Sequence, residues 1–241
     1  MTLEQPSGSA PADFQTDLRP SGERSAADLP RLTNETLRLW KAFAPLAPEQ
    51  RRWALAAGVV ETVRPGDVHR GAGEVAVVVS GCLATEATGS DLTAELLGPG
   101  DGAATGTERP VAGQWVTEGE IYRVSLPDWL DRAGAAGMQH LLNAEDRRRV
   151  RLERRLVCAS RHLASARVAD LLLSIHQAAP GRDILLSQER IGRMLGVRRS
   201  TVNGSCRALE RSGGARTGRG KIRILDGLGL STAACDCHAA R

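Results

Sequence analysis

The side chains best suited to chemistry crowd into one stretch near the C-terminus. Between Leu186 and Asp226 stand ten basic residues, Arg190, Arg193, Arg198, Arg199, Arg207, Arg211, Arg216, Arg219, Lys221 and Arg223, against three acids, Glu189, Glu210 and Asp226. That local excess of seven positive charges is larger than the +4 of the whole chain, so the rest sums to −3. Guanidinium forks donate paired hydrogen bonds to phosphate oxygens and to base edges. A basic module on a slightly acidic body therefore implies a polyanion as the partner of that module. The aromatic residues narrow the class. All seven (Phe14, Trp40, Phe43, Trp53, Trp115, Tyr122, Trp129) precede residue 130, so the basic end has no ring on which to stack an unpaired base. Single-strand binders rely on such rings, which argues against that class.

The segment LLSQERIGRMLGVRRSTVNGSCRALERSGG (185–214) contains the elements that must hold these groups. Ser187 is a good N-cap, since its hydroxyl accepts from the free amides of a first helical turn. Ile191 and Leu195 define a helix of two turns, and Gly196 ends it by taking a left-handed conformation. A second helix is expected at about 198–211, with Val202, Cys206 and Leu209 inward and Ser200, Asn203, Gly204 and Arg207 outward. Arg199 stands at the edge of that outer face. Two helices joined through a glycine turn make a helix-turn-helix. Beyond it, Ile222 and Ile224 alternate with Lys221 and Arg223 as in a half-buried strand. Gly218 and Gly220 then form a hairpin tip carrying Arg219, which completes a basic β-wing.

LSQERIGRMLGVRRSTV (186–202), TGRGKIRILDGLGL (217–230) and the terminal Ala233-Ala234-Cys235-Asp236-Cys237 resemble the Crp–Fnr superfamily of bacterial transcription regulators. The tail is similar to a subgroup ending in Ala-Cys-acidic-Cys-aromatic, with His238 here in place of the aromatic residue. Pro65-Gly66-Asp67, Ser80-Gly81 and Leu97-Gly98-Pro99-Gly100-Asp101 resemble the turns of the family's β-roll. The resemblance implies an α+β fold: a small antiparallel β-roll like a cyclic-nucleotide-binding domain, a long dimerisation helix, and a C-terminal winged helix-turn-helix. It also implies a homodimer on near-palindromic double-stranded DNA, with recognition helices in major grooves about 34 Å apart, and RNA polymerase as a further partner. Carried over by position, Arg199, Ser200 and Gly204 are the base readers, and Asn203 is a candidate adenine reader. Arg198, Thr201, Arg219 and Lys221 are expected on phosphates, and Ser187, Gln188 and Arg207 complete the DNA-contacting set. Many relatives carry Glu at the place of Ser200 and Arg at that of Gly204, so the operator is expected to differ from the family's common half-site.

The upstream sequence fits that order. Residues 1–30 read as a disordered tail, rich in Pro, Ser, Gly and Asp. Residues 31–134 read as the roll, after a helical stretch from Leu32 to Ala57 with Leu37, Trp40, Phe43 and Leu46 on one face. Strands are expected at 59–63, 75–79, 93–97 and 121–124, separated by Gly/Asp turns. Residues 135–162 form the long helix, with Met138, Leu141, Leu142, Leu152 and Leu156 as apolar anchors that serve either a dimer seam or packing on the roll. Its polar middle rules out an uninterrupted heptad seam. Residues 163–229 form the winged helix, and 230–241 a tail.

Other chemistries find less support. Cyclic-nucleotide binders of this family carry a Gly-Glu pair and then an Arg for the cyclic phosphate; Glu108-Arg109 has the charges but not the spacing, so such a ligand is not expected. A cluster of the oxygen-sensing type needs four thiolates, mostly N-terminal, and only Cys82 lies there. Haem through His69 or His140 is disfavoured, since a lone histidine is more often a surface or packed residue. Zinc at Cys235, Cys237 and His238 is disfavoured too, because three ligands in four residues crowd a tetrahedral site. Cys206 reads as packing. No catalytic constellation, cofactor or metal is expected. No run of 18 apolar residues and no apolar leader stands in the sequence, which suggests a cytoplasmic protein. Two other readings remain open: a small-molecule, haem or metal sensor in which ligand binding is primary, and a protein-interaction module whose winged helix does not touch DNA.

Overall fold

The computed structural model describes residues 34–87, 93–105, 111–235 and Cys237; the tail at 1–30, the Glu108-Arg109 pair and His238 lie outside the described residues. Two short helices, α1 (Asn34–Ala42) and α2 (Pro48–Ala57), precede eight strands. These are β1 (Val59–Val63), β2 (Val68–Gly71), β3 (Glu74–Ser80), β4 (Leu83–Glu86), β5 (Thr93–Leu97), β6 (Gly102–Thr105), β7 (Val111–Trp115) and β8 (Gly119–Ser125). They form two antiparallel sheets, β1-β8-β3-β6 and β2-β7-β4-β5. The long helix α3 (Leu126–Arg161) follows, then α4 (Ala164–Ala178), α5 (Gln188–Leu195), α6 (Arg199–Arg211), the hairpin β9 (Ala215–Gly218) and β10 (Lys221–Ile224), and α7 (Gly227–Ala233). Among the described residues no helix is long and apolar enough to cross a membrane.

The sequence expectations need correction at several points. The helix expected from Leu32 to Ala57 is two helices. Pro48 starts α2 at its first turn, where a missing amide costs nothing. Phe43 and Leu46 are buried as expected, whereas Leu37 is 45% exposed and Leu39 takes its place in the core. The strands β2, β4, β6 and β7 were not foreseen, because VHRG, LATE, GAAT and VAGQW are short and poor in branched apolar residues. The expected tail at 230–241 begins too early, since Leu230 is fully buried on α7.

The continuous run in β3 has a physical reason. Val75, Val77 and Val79 face Leu39, Phe43, Tyr122 and Trp129, under the helices. Ala76 and Val78 face Val63, Leu83, Trp115 and Ile121, between the two sheets. A strand buried on both faces loses its period-two pattern. The Tyr122 hydroxyl donates to the Ala54 carbonyl, which ties α2 to the roll.

Helix α3 begins with Ser125 accepting from the Asp128 amide and kinks at Gly134 (φ 54°, ψ −138°). Beyond the kink it is held to the roll by charge. Glu95 on β5, 1% exposed, accepts from Arg148 at 2.6 Å and Arg151 at 2.9 Å, and Arg151 also reaches Asp101 at 3.2 Å. Arg155 donates to the Thr93 carbonyl at 3.2 Å. The C-terminal unit packs on the same sheet: Cys82, Ala84, Leu96 and Val116 share one apolar cluster with α4, α5, α6 and the wing.

Removing one member of a buried ionic group leaves the others desolvated and unpaired. Glu95→Ala should therefore lower stability by roughly 3 kcal/mol, read as an earlier midpoint in urea, whereas Glu153→Ala on the exposed side of α3 should shift it by less than about 0.5 kcal/mol.

Candidate nucleic-acid interface

The base of the interface is α4, whose Val168, Leu171, Leu172 and Ile175 are buried against the following helices. Helix α5 starts as expected, with the Ser187 hydroxyl accepting from the Arg190 amide at 3.1 Å. Ile191 and Met194 point inward. Gly196 closes the helix at φ 63°, ψ 37°, a left-handed conformation that only glycine adopts cheaply. Gly192 carries a second constraint that sequence reasoning missed. A Cβ there would stand 2.8 Å from the Val197 carbonyl oxygen, and the Val197 amide donates to the Gly192 carbonyl at 2.9 Å. The turn thus folds onto the helix at a distance a side chain would forbid. Arg167 of α4, also missed, donates to the Leu195 carbonyl at 2.7 Å and satisfies the end of α5.

Helix α6 buries Val202, Cys206 and Leu209, together with Ser205. Arg198, Arg199, Ser200, Thr201, Gly204 and Arg207 are exposed, and Asn203 is half-buried. The Arg198 side chain makes no cap bond, which leaves it outside the helix start. Burial raises the Cys206 thiol to about 11, which suits a packed group and not a reactive one.

The wing forms as a two-residue hairpin, with Gly218 opposite Lys221 and Arg219-Gly220 at the tip. Ile222 and Ile224 are buried, and Ile222 exchanges backbone hydrogen bonds of 2.9 Å with Ile184. Glu210 at the end of α6 accepts from the Thr217 amide at 2.8 Å, so it fixes the wing against the helix. Asp226 caps α7 through the Leu228 amide at 3.0 Å. These acids shape the module instead of neutralising its outer face.

Charge counting along the sequence overstated the wing. Asp183, just before the counted window, pairs with Lys221 at 2.5 Å and grips Arg223 through Nε at 2.6 Å and Nη2 at 2.8 Å. Hydrogen bonds from Arg223 and Lys221 hold its carboxyl down at about 2, so it stays charged at neutral pH. Lys221, expected on phosphate, is turned to a carboxylate. Arg190 and Arg193 line a cleft with Glu86, Thr93 and Gln114 of the roll. Of the exposed bases in this module, Arg198, Arg199, Arg207, Arg211, Arg216 and Arg219 lie away from both that cleft and Asp183. Gln188 is half-buried beside exposed Ser187.

In the roll, His69 lies 3.8 Å from the buried Glu74, which Arg123 pairs at 2.6 Å. Burial, then Arg123, lowers the His69 ring to about 4. His140 packs against Phe43 and Trp129, with centroids 5.8 and 5.4 Å away, and burial lowers it to about 4 as well. On α3, Leu141 joins the core, whereas Met138, Leu142 and Leu156 point outward, 45%, 57% and 71% exposed.

A family model for the Crp-like helix-turn-helix domain matches residues 166–232. Among curated proteins none matches the chain. The fold is similar to FixK2 from Bradyrhizobium japonicum, at 21% identity and TM-score 0.58 over 74% of this chain and 98% of that one. It is also similar to a Crp/Fnr-family transcriptional regulator from Eubacterium rectale (18%, 0.59, 82% and 97%). A third likeness is to a CRP-family transcriptional regulator from Thermus thermophilus (16%, 0.56, 72% and 96%). At such identities these likenesses show the fold.

A Cβ at Gly204 would meet nothing within 4 Å, so no packing demands glycine there. Gly204→Ala should raise the stability of the isolated protein by about 0.5–1 kcal/mol, seen as a higher melting temperature. A lower one would mean that the helix is not formed as described.

Proposed function

We propose that this chain, a Crp–Fnr superfamily regulator by its Crp-like helix-turn-helix domain and its fold, acts as a homodimer that reads a near-palindromic site on double-stranded DNA. The observation that carries the reading is the division of α6. One face is locked into the core through Val202, Cys206 and Leu209, and the opposite face presents Arg199, Ser200, Gly204 and Arg207 with no acid among them. A rigid helix with donors on its free face is what a major groove accepts.

In this reading Arg199 donates two hydrogen bonds to guanine O6 and N7, and Asn203 addresses adenine. Ser200 reads a base edge with its hydroxyl. Arg198, Thr201 and Arg219 hold phosphates, and the amide end of α5 at Ser187 and Gln188 approaches the backbone. Lys221 contributes only if it leaves Asp183. Bare Gly204 lets the helix sit close to the DNA, which explains a glycine that packing does not require.

Dimerisation is supported by the outward row on α3. Met138, Leu142, Glu145, Arg149, Leu152 and Leu156 follow in steps of four and three, the spacing of a two-helix seam. Its polar middle is internally paired, Arg149 with Asp146 and Glu153 at 2.8 and 2.7 Å. Apolar contacts at both ends would set the seam, and the charged centre its register.

Two experiments test this. Binding to selected genomic fragments should weaken steeply with salt, and Arg199→Ala should lose about 1–3 kcal/mol of discrimination at one base pair per half-site. Equal affinity of the wild type for all fragments overturns sequence-specific reading. Leu142→Arg with Leu156→Arg should convert the dimer to monomer in light scattering and weaken specific binding; a wild-type monomer at the concentrations that bind DNA removes the dimeric arrangement.

A further inference from the structure

Four candidate metal ligands that are far apart in sequence meet at the junction of the long helix and the C-terminal segment. Cys158 lies in the last turn of α3 and His162 caps its end, four residues on, with its amide donating to the Cys158 carbonyl. Cys235 and Cys237 follow α7. Their ligand atoms all lie within 4.8 Å of one another. Cys158 Sγ is 3.4 Å from Cys235 Sγ, and Cys237 Sγ is 3.4 Å from His162 Nδ1. A tetrahedral zinc with Zn–S of about 2.3 Å and Zn–N of about 2.0 Å needs ligand edges of about 3.8 and 3.5 Å. Those two pairs lie within a few tenths of an ångström of these edges, and the remaining pairs, none farther than 4.8 Å, need to close by at most about 1 Å. No disulfide joins these cysteines.

The geometry points to a structural Zn²⁺ site of the Cys₃His type, formed by Cys158, His162, Cys235 and Cys237, that clamps the C-terminal tail to the end of α3. Four protein ligands close the coordination sphere, and soft thiolates with one imidazole select zinc over magnesium or calcium. The crowding that argues against a site within the tail alone is relieved, because α3 contributes two of the ligands. The loaded site carries one net negative charge. Half-buried Arg155 lines the same cavity as Cys158 and Cys237, where its guanidinium would offset that charge. Both anchors bear on the recognition module. Cys158 and His162 sit immediately before α4, and α7 packs on α4 through the buried Leu230. Metal at this point would fix the angle between the seam helix and the helix-turn-helix.

The test uses the full chain purified under reducing conditions without chelator. Elemental analysis should find about one zinc per chain. Exchange with Co²⁺ should give the visible absorption of a tetrahedral thiolate site together with a sulfur-to-cobalt charge-transfer band. Cys237→Ser, at a half-buried position, should lose the zinc or bind it at least tenfold more weakly, with its far-ultraviolet circular dichroism unchanged. Zinc should also slow hydrogen exchange at residues 158–164 and 233–235. A wild type that holds no zinc and gives no cobalt spectrum overturns the site, as does full retention of metal by Cys237→Ser. A Cys158–Cys235 disulfide that persists under reduction also overturns it. None of these readouts depends on DNA, so the failure of one proposal is distinguishable from that of the other.

Discussion

The carboxylate of Glu95 is the joint on which the arrangement of this molecule turns. It is buried between a sheet edge and a helix, and it is tolerable there only because two guanidinium groups approach it from α3. Arg148 and Arg151 are three residues apart, so both lie on the helix face turned to the roll. Their hold fixes the rotation of α3 about its own axis. Leu141 consequently faces the core, and Met138, Leu142 and Leu156 face away. The same rotation places Cys158 and His162 against the tail. One ionic contact thus orients the outward face of α3, its junction with the C-terminal segment and the start of the helix-turn-helix module.

Within that module, precision comes from backbone contacts. Gly192 and Gly196 let the turn fold back on α5, Arg167 satisfies the helix end, and Glu210 binds the wing to α6. Each uses a polar or absent side chain to hold backbone at a set distance. The apolar core beneath is generic by comparison, since Val202, Cys206 and Leu209 could be exchanged for residues of like volume. A helix held this way presents its outer donors with little freedom, and that freedom would otherwise be lost on binding.

The roll carries buried charge of its own, Glu74 with Arg123 and the neutral His69, and neutral His140 among aromatic rings. The C-terminal unit rests on the roll through Cys82, Ala84, Leu96 and Val116, which share one apolar cluster with α4, α5 and α6.

The sequence by itself determined the local features. Ser187, Gly196, the Val202–Cys206–Leu209 face and the Ile222–Ile224 alternation are set by caps, turns and periodicity, which act over a few residues. Periodicity and turn residues also indicated the order of roll, long helix and winged helix, and the resemblance to Crp–Fnr regulators matches that order. What only the tertiary structure decided are the pairings between distant positions. Asp183 removes Lys221 from the basic surface, Glu95 chooses the face of α3, and the packing of α7 brings Cys235 and Cys237 beside Cys158 and His162 at the end of α3. Short strands such as GAAT were equally hidden, because their stability lies in partners across the sheet. Periodicity reports which way a residue points, and contact between residues far apart in sequence depends on how the elements pack.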